Sequence, residues 1–329
     1  MLKLLKKKQT AALSQSIEKY IKSEERACFT IDSIAYNIAE YSDKQLTISY
    51  LCTLYNVTRQ TYYEYVNRQT KKLLQKEIIL QLIKEQKRIL PNCGVRKIYH
   101  LIKDKLDEKE LKCGRDQLFE LHREAGLLVK RKRSYVKTTN SNHPFRKYSN
   151  LLKDKEIAYV FHAVVCDITY IDTHEGFYYL ALMMDVHSRY IVGYDLSDSL
   201  ELEGCKRALE MALKLLKKVH PKNFAKNNEI IHHSDHGVQY CSYIYTDILK
   251  QHDIRISMGE IGNCYENAMA ESLNGILKNE LELGQRFVSK PVARKTVEQS
   301  INIYNTVRPH GSLKMQTPDS VFKQNVLNR

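Results

Sequence analysis

The spacing of apolar residues changes along the chain and divides it into two kinds of structure. Up to about residue 127, apolar positions recur every three or four residues, which predicts helices with one buried face. From residue 156 onward, short apolar runs alternate with amphipathic segments, which predicts strands and helices within one domain. A segment rich in basic residues joins the two parts.

The helical part opens with residues 1–26, which are amphipathic and predict a surface helix or a dimerising helix. Residues 45–68 predict a helix-turn-helix in which Thr47 caps the first helix and Thr58 caps the second. The second helix begins with polar side chains suited to contact base edges, Arg59, Gln60 and Thr61. An ordinary helical hairpin is the alternative interpretation.

A long helix is predicted next over residues 71–90, ended by Pro91 and Gly94. Residues 94–127 predict another pair of helices that again resembles a helix-turn-helix. Residues 128–148 then carry seven Lys and Arg and no acid, which indicates a basic linker. Such a run is either a solvated segment or one that follows a phosphate backbone, through Lys130, Arg131, Lys132 and Arg133.

The α/β part predicts three strands in a meander, followed by helix, strand, helix, strand and helix. This order is typical of a ribonuclease-H-like fold, an α/β core with a mixed five-stranded sheet whose first and fourth strands are neighbours. The predicted fold class is therefore this core preceded by all-α helix-turn-helix modules.

The predicted sheet brings together acids that are far apart in the sequence. Asp167 lies within the first strand, in VVCDITYI, and Asp235 follows the fourth strand, in HSDHGVQY. Glu271 lies on the last core helix, with 35 residues between it and Asp235. The chain returns there to the same edge of the sheet. An unpaired carboxylate inside an apolar run is costly, which favours a functional role for Asp167.

Three converging carboxylates repel one another unless a cation lies among them. Oxygen ligands select hard ions, Mg²⁺ or Mn²⁺, and two such ions suit an in-line displacement at phosphorus. Asp185 competes with Asp167 for the role of the first of the three acids, although a turn-stabilising pair with Arg189 is the simpler interpretation. Asp172 is interpreted as a solvated loop residue. A zinc site is disfavoured because the spacing matches no common pattern for His232, His233, His236 and Cys241.

Several polar residues near the acids are candidates for contacts with DNA. Asn267, Glu271 and Lys278 share one face of the last core helix. In the Asp235 loop, we expect His233 to support the loop. His236 is expected to face the substrate, Gly237 to permit a tight backbone turn, and Gln239 to contact DNA.

The C-terminal segment allows two interpretations. Arg308 and His310 follow a predicted helix and are candidates for contacts with DNA phosphates. The alternative is a tail that packs on the core.

Composition narrows the class of partner. With 52 Lys and Arg against 38 Asp and Glu, the formal charge is +14, which favours a polyanion because neutralised phosphates release counterions. The eight cysteines form no C-x-x-C pair, which favours free thiols. No apolar run is long enough to span a membrane, and lysines interrupt the N-terminal apolar stretch. We therefore expect a cytoplasmic protein, associated with the nucleoid when it is bound to DNA.

Three motifs resemble one family. DITYI, HSDHGVQY and GNCYENAMAESLNGILKNE are similar to the bacterial insertion-sequence transposases of the DDE class, in particular the IS-three family with its retroviral-integrase-like core. YNTVRPHGSL resembles the C-terminal motif of that family, and GVRKIYHLI with LHREAGLL resembles its preceding helical module. Phe161 and His162 stand near the first acid where the family often has Trp, and Glu266 stands where it often has Asp.

The resemblance implies binding to the terminal inverted repeats of an insertion sequence, metal-dependent DNA cleavage and 3′-hydroxyl strand transfer into target DNA. It also implies that Asp167, Asp235 and Glu271 hold two Mg²⁺ or Mn²⁺ ions. Work on two DNA ends requires at least a dimer, with the first helix and residues 71–90 as candidate contacts. A nuclease of the same fold without joining activity and an inactive DNA-binding regulator are the alternatives.

The predicted organisation has six parts. The helical part consists of a helical segment (1–44), a helix-turn-helix (45–70) and a second helical module (71–127). A basic linker (128–155), the catalytic core (156–290) and a C-terminal helix with its tail (291–329) follow.

Overall fold

The structure is a computed structural model that describes residues 47–129, 145–153, 155–220, 229–259 and 268–327. The predicted N-terminal helix, the basic run from Lys130 to Arg133 and Asn267 lie outside the described residues. The chain divides into two compact units, one ending at Gln81 and the other beginning at Leu82.

The first unit contains the predicted helix-turn-helix. Helix α1 (Ile48–Leu54) is capped by Thr47, whose Oγ1 accepts a hydrogen bond of 3.2 Å from the N–H of Tyr50. Asn56 turns the chain in the left-handed region, with φ of 55°. Thr58 Oγ1 accepts a bond of 3.1 Å from the N–H of Thr61 at the start of helix α2, which runs from Arg59 to Ile89. Both predicted caps are confirmed.

Helix α2 is continuous where the sequence analysis placed a boundary between residues 70 and 71. No Gly or Pro occurs between Arg59 and Ile89, so nothing in the backbone chemistry interrupts the helix there. The separate helix predicted over residues 71–90 is therefore the second half of α2.

The predicted second pair of helices is present. Helix α3 spans Val95–Glu108 and helix α4 spans Arg115–Glu124. Gly126 follows α4 with φ of 66°, a conformation that glycine adopts without steric cost. The apolar faces of the two helices are fully buried at Ile98, Ile102 and Leu118.

The core sheet has the predicted topology. Its strands are β1 (Ala163–Thr173), β2 (Gly176–Asp185), β3 (Ile191–Ser197), β4 (Ile230–Ser234) and β5 (Ile254–Met258). The strand order is β3-β2-β1-β4-β5. The first three strands are antiparallel, while β4 lies parallel to both β1 and β5. This is the mixed sheet of the ribonuclease-H-like fold.

Helices cover the sheet, and alternate strand residues face different helices. Cys166 belongs to a buried cluster with residues of α5 (Leu202–Val219) and α7 (Tyr243–Gln251). The next residue, Asp167, contacts α8 (Ala268–Gly275), which continues into a π-helical turn at Ile276–Glu280. The remaining described helices are α6 (Val238–Cys241), α9 (Lys290–Thr306) and α10 (Pro318–Leu327), with a 3₁₀ turn at Gly311–Leu313.

Two further observations concern the described part of the chain. None of its helices combines the length and the apolar character that crossing a membrane requires. Its cysteines are free thiols, at Cys52, Cys93, Cys113, Cys166, Cys205 and Cys241.

Candidate active site

The sheet places Asp167 and Asp235 at equivalent positions on neighbouring strands. Val165 of β1 and His233 of β4 are register partners in the parallel pair. Each acid lies two residues further along its own strand direction, Asp167 still within β1 and Asp235 just beyond the end of β4. The register of the backbone thus brings the two carboxylates to one edge.

Asp167 is partly buried and held on both carboxylate oxygens. Its Oδ1 accepts a 2.8 Å bond from the N–H of Ile168, and its Oδ2 accepts a 2.6 Å bond from Nδ2 of Asn274. The pKa of Asp167 is raised to about 7, first by burial, then by the charge of Asp235 and, more weakly, of Glu271. The Ile168 N–H and the charge of Lys278 lower it. The charges of Asp235 and Glu271 therefore both act on the Asp167 carboxylate.

The loop after β4 is shaped around the Asp235 carboxylate. The N–H of Gly237 donates a 3.0 Å bond to Asp235 Oδ1. A Cβ at Gly237 would lie 3.0 Å from that same oxygen, although the φ of Gly237 is an ordinary −64°. This glycine is therefore needed for close approach to Asp235, and not for the tight turn that its sequence position suggests.

Glu271 reaches the site from helix α8. Glu271 is exposed, while Asn274 and Lys278 follow it on the same helical face and are partly buried. Lys278 Nζ lies 4.2 Å from the centroid of the Tyr170 ring. Burial lowers the pKa of Lys278, and the negative charge of Asp167 opposes that shift. The helix thus presents an acid, an amide and a cation to the Asp167 edge of the sheet.

The residues at this edge suit a hard divalent cation, but they do not form a closed ligand set. Among the described residues, no group of three His, Cys, Asp or Glu side chains is placed to hold one metal ion. The donors at hand are carboxylate oxygens, and the pKa of Asp167 is raised first by burial and then by repulsion from the charge of Asp235. A cation between Asp167 and Asp235 would relieve that repulsion. Glu271 is exposed, so packing does not confine its side chain.

Asn274 is the site residue that the sequence analysis missed. It lies three residues after Glu271 on one helical face, and this spacing was the available signal. Its Oδ1 is buried and has no hydrogen-bond partner in the described part of the chain, while its Nδ2 holds Asp167.

Asp185, the competitor for the first-acid position, stabilises a turn. Its fully buried carboxylate accepts hydrogen bonds of 2.7 Å from the N–H of Phe161, 2.7 Å from the N–H of Ser188 and 2.5 Å from Ser188 Oγ. The expected partner Arg189 contributes its backbone N–H to the Asp185 carbonyl at 2.9 Å. Asp172 lies inside β1, not in a loop, and pairs with Arg286 at 3.5 Å.

The structure changes the interpretation of several candidate DNA contacts. Arg308 is only 3% exposed and forms an ion pair with Glu280, so it is not available to DNA phosphates; this prediction is wrong. The alternative, a tail that packs on the core, describes Arg308 correctly. His236 is buried at 8% exposure, and Gln239 Nε2 donates a 2.7 Å bond to the carbonyl of Leu200. Neither side chain is directed freely to solvent.

Two histidines have partners within the fold. His233 is fully buried, and its Nδ1 lies 2.8 Å from Ser257 Oγ on β5, which braces the strand that leads to Asp235. His310 is partly buried, and its Nδ1 lies 2.9 Å from Ser312 Oγ. Burial and the nearby Arg308 charge lower the pKa of His310 to about 4, so it is neutral at pH 7.

Comparisons with known proteins identify the family of the chain. Two family models, each described as an integrase core domain, match residues 159–264 and 252–318. An uncharacterized 31 kDa protein of insertion element IS600 from Shigella sonnei is 35% identical over 272 residues, 82% of this chain and 96% of the relative. The chain belongs to the insertion-sequence transposases of the DDE class. It is thus a polynucleotidyl transferase.

Further relatives match a smaller share of the chain or match it at lower identity. The transposase InsF of insertion sequence IS3A from Escherichia coli is 38% identical over 161 residues, which are 49% of this chain and 53% of InsF. Among solved structures, the catalytic core of the HTLV-2 integrase in complex with magnesium matches with a TM-score of 0.38 and 16% identity, covering 49% of this chain and 96% of that core. The simian T-cell lymphotropic virus intasome matches with a TM-score of 0.41 and 13% identity, covering 73% of this chain and 74% of that chain.

Proposed function

We propose that this transposase binds the terminal inverted repeats of its own insertion sequence, cleaves there and joins the freed 3′-hydroxyl to target DNA. Asp167, Asp235 and Glu271 hold two Mg²⁺ or Mn²⁺ ions during these steps. The observation that carries the proposal is the β1–β4 register, which places Asp167 beside Asp235 with Glu271 close enough to influence the Asp167 pKa.

The residues around the acids prepare them for this chemistry. When bound, two divalent ions activate the attacking oxygen, hold the phosphate and stabilise the leaving oxygen. Asn274 orients one oxygen of Asp167, and the Gly237 N–H orients one oxygen of Asp235. Lys278 adds a positive charge beside Asp167, where a DNA phosphate has to approach.

Recognition of the DNA ends is assigned to the first helix-turn-helix and the basic linker. Arg59, Gln60 and Thr61 are exposed at the start of α2, where a groove of DNA can reach them. Gln60 bonds Glu64 and Thr61 bonds Thr58, so these two side chains would exchange a partner on the protein for one on DNA. The +14 formal charge and the run from Lys130 to Arg133 supply sequence-independent attraction to double-stranded DNA.

Two DNA ends require at least two copies of the chain. The predicted contact region at residues 71–90 contains Leu73 and Leu74, whose exposures on α2 are 65% and 62%. We take these two exposed leucines as candidate contacts with a second copy of the chain.

The test is a cleavage and joining assay with labelled DNA from both ends of the element, with Mg²⁺, with Mn²⁺ and with neither. We expect ion-dependent cleavage followed by joining to a target duplex. Asp235→Asn should reduce cleavage at least about a hundredfold because it removes a charge that the reaction requires. Binding to the DNA ends, measured by gel shift, should remain.

Other outcomes select the alternatives. Cleavage without joining would indicate a nuclease of this fold, and binding without any ion-dependent cleavage would indicate a regulator. Cleavage by Asp235→Asn at the wild-type rate would remove Asp235 from the site.

A further inference from the structure

The C-terminal segment at residues 304–310 is bound to the core by the side chains of Tyr304, Asn305 and Arg308. Tyr304 is fully buried, and its hydroxyl lies 3.5 Å from Met184 Sδ near the end of β2. Asn305 is bonded twice to the backbone of Ile191, from its N–H at 2.9 Å and to its carbonyl at 3.3 Å. These contacts fix the segment against the ends of β2 and β3.

Arg308 extends from this fixed segment to the helix that carries Glu271. Its Nε lies 2.7 Å from Glu280 Oε2 and its Nη2 lies 2.9 Å from Glu280 Oε1. Such a two-point pair restrains direction as well as distance, because a planar guanidinium matches a planar carboxylate in one orientation. Glu280 is the last residue of the π-helical turn that continues α8.

A second cation reaches Glu280 from the helical module. Lys97 of α3 donates to both carboxylate oxygens of Glu280, at 2.8 and 3.1 Å. Burial raises the pKa of Glu280, but Arg308 and Lys97 lower it more, so its pKa lies below the usual value. Nearby, Asn92 Nδ2 donates a 3.2 Å bond to Glu282. The π-helical turn that ends α8 is thus held both by α3 and by the C-terminal segment.

This anchor is coupled to the active site through one short stretch of helix. Asn274, which bonds Asp167, lies six residues before Glu280, and Glu271 lies nine residues before it. A displacement or rotation at Glu280 therefore moves the amide that orients Asp167 and the acid that completes the site.

We infer that Arg308 and Lys97 are positioning residues that act through Glu280 to hold Asn274 against Asp167 and to fix the stretch of helix that carries Glu271. The C-terminal segment then serves the active site from behind instead of contacting DNA, and α3 gives the helical module a direct influence on the catalytic helix. This inference rests on the proposed function, since it takes Glu271 and Asp167 as ligands of the divalent ions.

The test compares Arg308→Gln and Arg308→Lys with the wild-type full chain by Mn²⁺ binding, followed as loss of the free-ion electron paramagnetic resonance signal. We expect Arg308→Gln to weaken Mn²⁺ binding by about threefold to thirtyfold, the range of coupling through contiguous contacts. Arg308→Lys should restore part of the loss, because lysine keeps the charge but not the two-point geometry. The rate of amide hydrogen exchange at residues 268–280 should rise most in Arg308→Gln and less in Arg308→Lys, in the same order as the losses of Mn²⁺ affinity.

Arg207→Gln is the matched control. Arg207 also makes a two-point pair, with Asp195 at 2.9 and 2.8 Å, but it joins α5 to β3 and does not touch α8. Because the Arg207 side chain is 49% exposed, Arg207→Gln should lower thermal stability less than Arg308→Gln does, and it should leave Mn²⁺ affinity unchanged. Lys97→Met is the second variant, with an effect in the same direction but smaller than that of Arg308→Gln, since the Arg308 pair remains.

The outcomes separate this inference from the proposed function. Wild-type Mn²⁺ affinity in Arg308→Gln, together with weaker binding to DNA ends, would overturn the inference and return Arg308 to the DNA interface. Equal losses in Arg308→Gln and Arg207→Gln would also overturn it, because general destabilisation would then explain both. If the wild-type chain binds no Mn²⁺ that Asp235→Asn abolishes, the proposed function itself fails.

Discussion

The two strand-borne acids and the helix-borne acid reach the same edge by different physical means. Asp167 and Asp235 follow paired residues of β1 and β4, so backbone hydrogen bonds of the sheet determine their separation. Glu271 depends on the placement of α8, which side-chain contacts determine: Asn274 and Glu280 bond neighbouring elements, and the apolar side chains of Leu273 and Leu277 are buried. A backbone register changes only as a whole, whereas a helix held by a few side chains shifts when one of them changes.

The difference indicates which part of the site is prebuilt and which part is adjustable. Burial in the sheet and the charge of Asp235 together raise the pKa of Asp167, whereas the three acids do not form a closed ligand set in the described residues. Substitutions at Asp167 or Asp235 should therefore alter the charge of the site, and substitutions along α8 should alter how its side chains are aligned with Asp167. Three predictions test this division.

The largest effect concerns the charge of the strand pair. The folded Asp167 has a pKa of about 7 against an ordinary value of 3.8, so the metal-free folded state retains a proton that the unfolded state loses in this window. The free energy of unfolding should therefore fall as pH rises from about 4 through about 7, by an amount on the order of a few kcal/mol. Asp167→Asn should remove this fall, which urea denaturation in EDTA at pH 4, 5.5, 7 and 8 would measure.

The control for this prediction is Asp185→Asn. Asp185 is also a buried carboxylate, but Ser188 and Phe161 donate hydrogen bonds to it that an amide cannot fully accept. That variant should be less stable than the wild type at pH 8, where Asp167→Asn should be more stable. A stability gap between Asp167→Asn and the wild type that does not depend on pH would contradict the raised pKa.

The second prediction concerns alignment from the helix. Asn274→Leu removes the amide that holds Asp167 Oδ2 and leaves a partly buried carboxylate with one donor fewer. Mn²⁺ affinity and cleavage should each fall by about 10-fold to 100-fold, as for other residues that orient metal ligands. Ser272→Ala, an exposed change on the same helix, should leave both unchanged. Wild-type affinity in Asn274→Leu would show that the sheet alone orients Asp167.

The smallest effect is expected at the loop after β4. A methyl group at Gly237 would lie 3.0 Å from Asp235 Oδ1, and the backbone conformation itself accepts alanine. Gly237→Ala should therefore fold normally and lower the cleavage rate several-fold, less than the about hundredfold cost of a 1 Å misplacement. Rates at saturating Mg²⁺ measure this, and a loss of folding instead of rate would contradict it.

Much of this architecture could be predicted from local sequence because local chemistry determines it. Thr47 and Thr58 mark helix starts by their capping oxygens, and the alternation of apolar runs predicted the five strands in order. Asp167 stood out because a carboxylate within an apolar strand is unusual. The predicted break between residues 70 and 71 was wrong because no residue there interrupts a helix.

The errors at candidate site residues have a different origin. Arg308 in the sequence is a basic residue in a polar tail, and only its buried contact with Glu280 distinguishes a structural ion pair from a DNA contact. Gly237 was interpreted as a turn glycine because sequence cannot show that Asp235 Oδ1 occupies the space of its Cβ. Asn274 was overlooked because its partner is 107 residues away in the chain.

The sequence by itself determined most of the helices and strands, their order and the topology of the sheet, because periodicity and capping act over short stretches of chain. Only the tertiary structure decided which polar side chains serve Asp167 and which ones hold the helix of Glu271. Those assignments depend on contacts between residues far apart in the chain. A few ångströms separate a phosphate-binding arginine from a buried anchor, and spacing along the chain does not encode that distance.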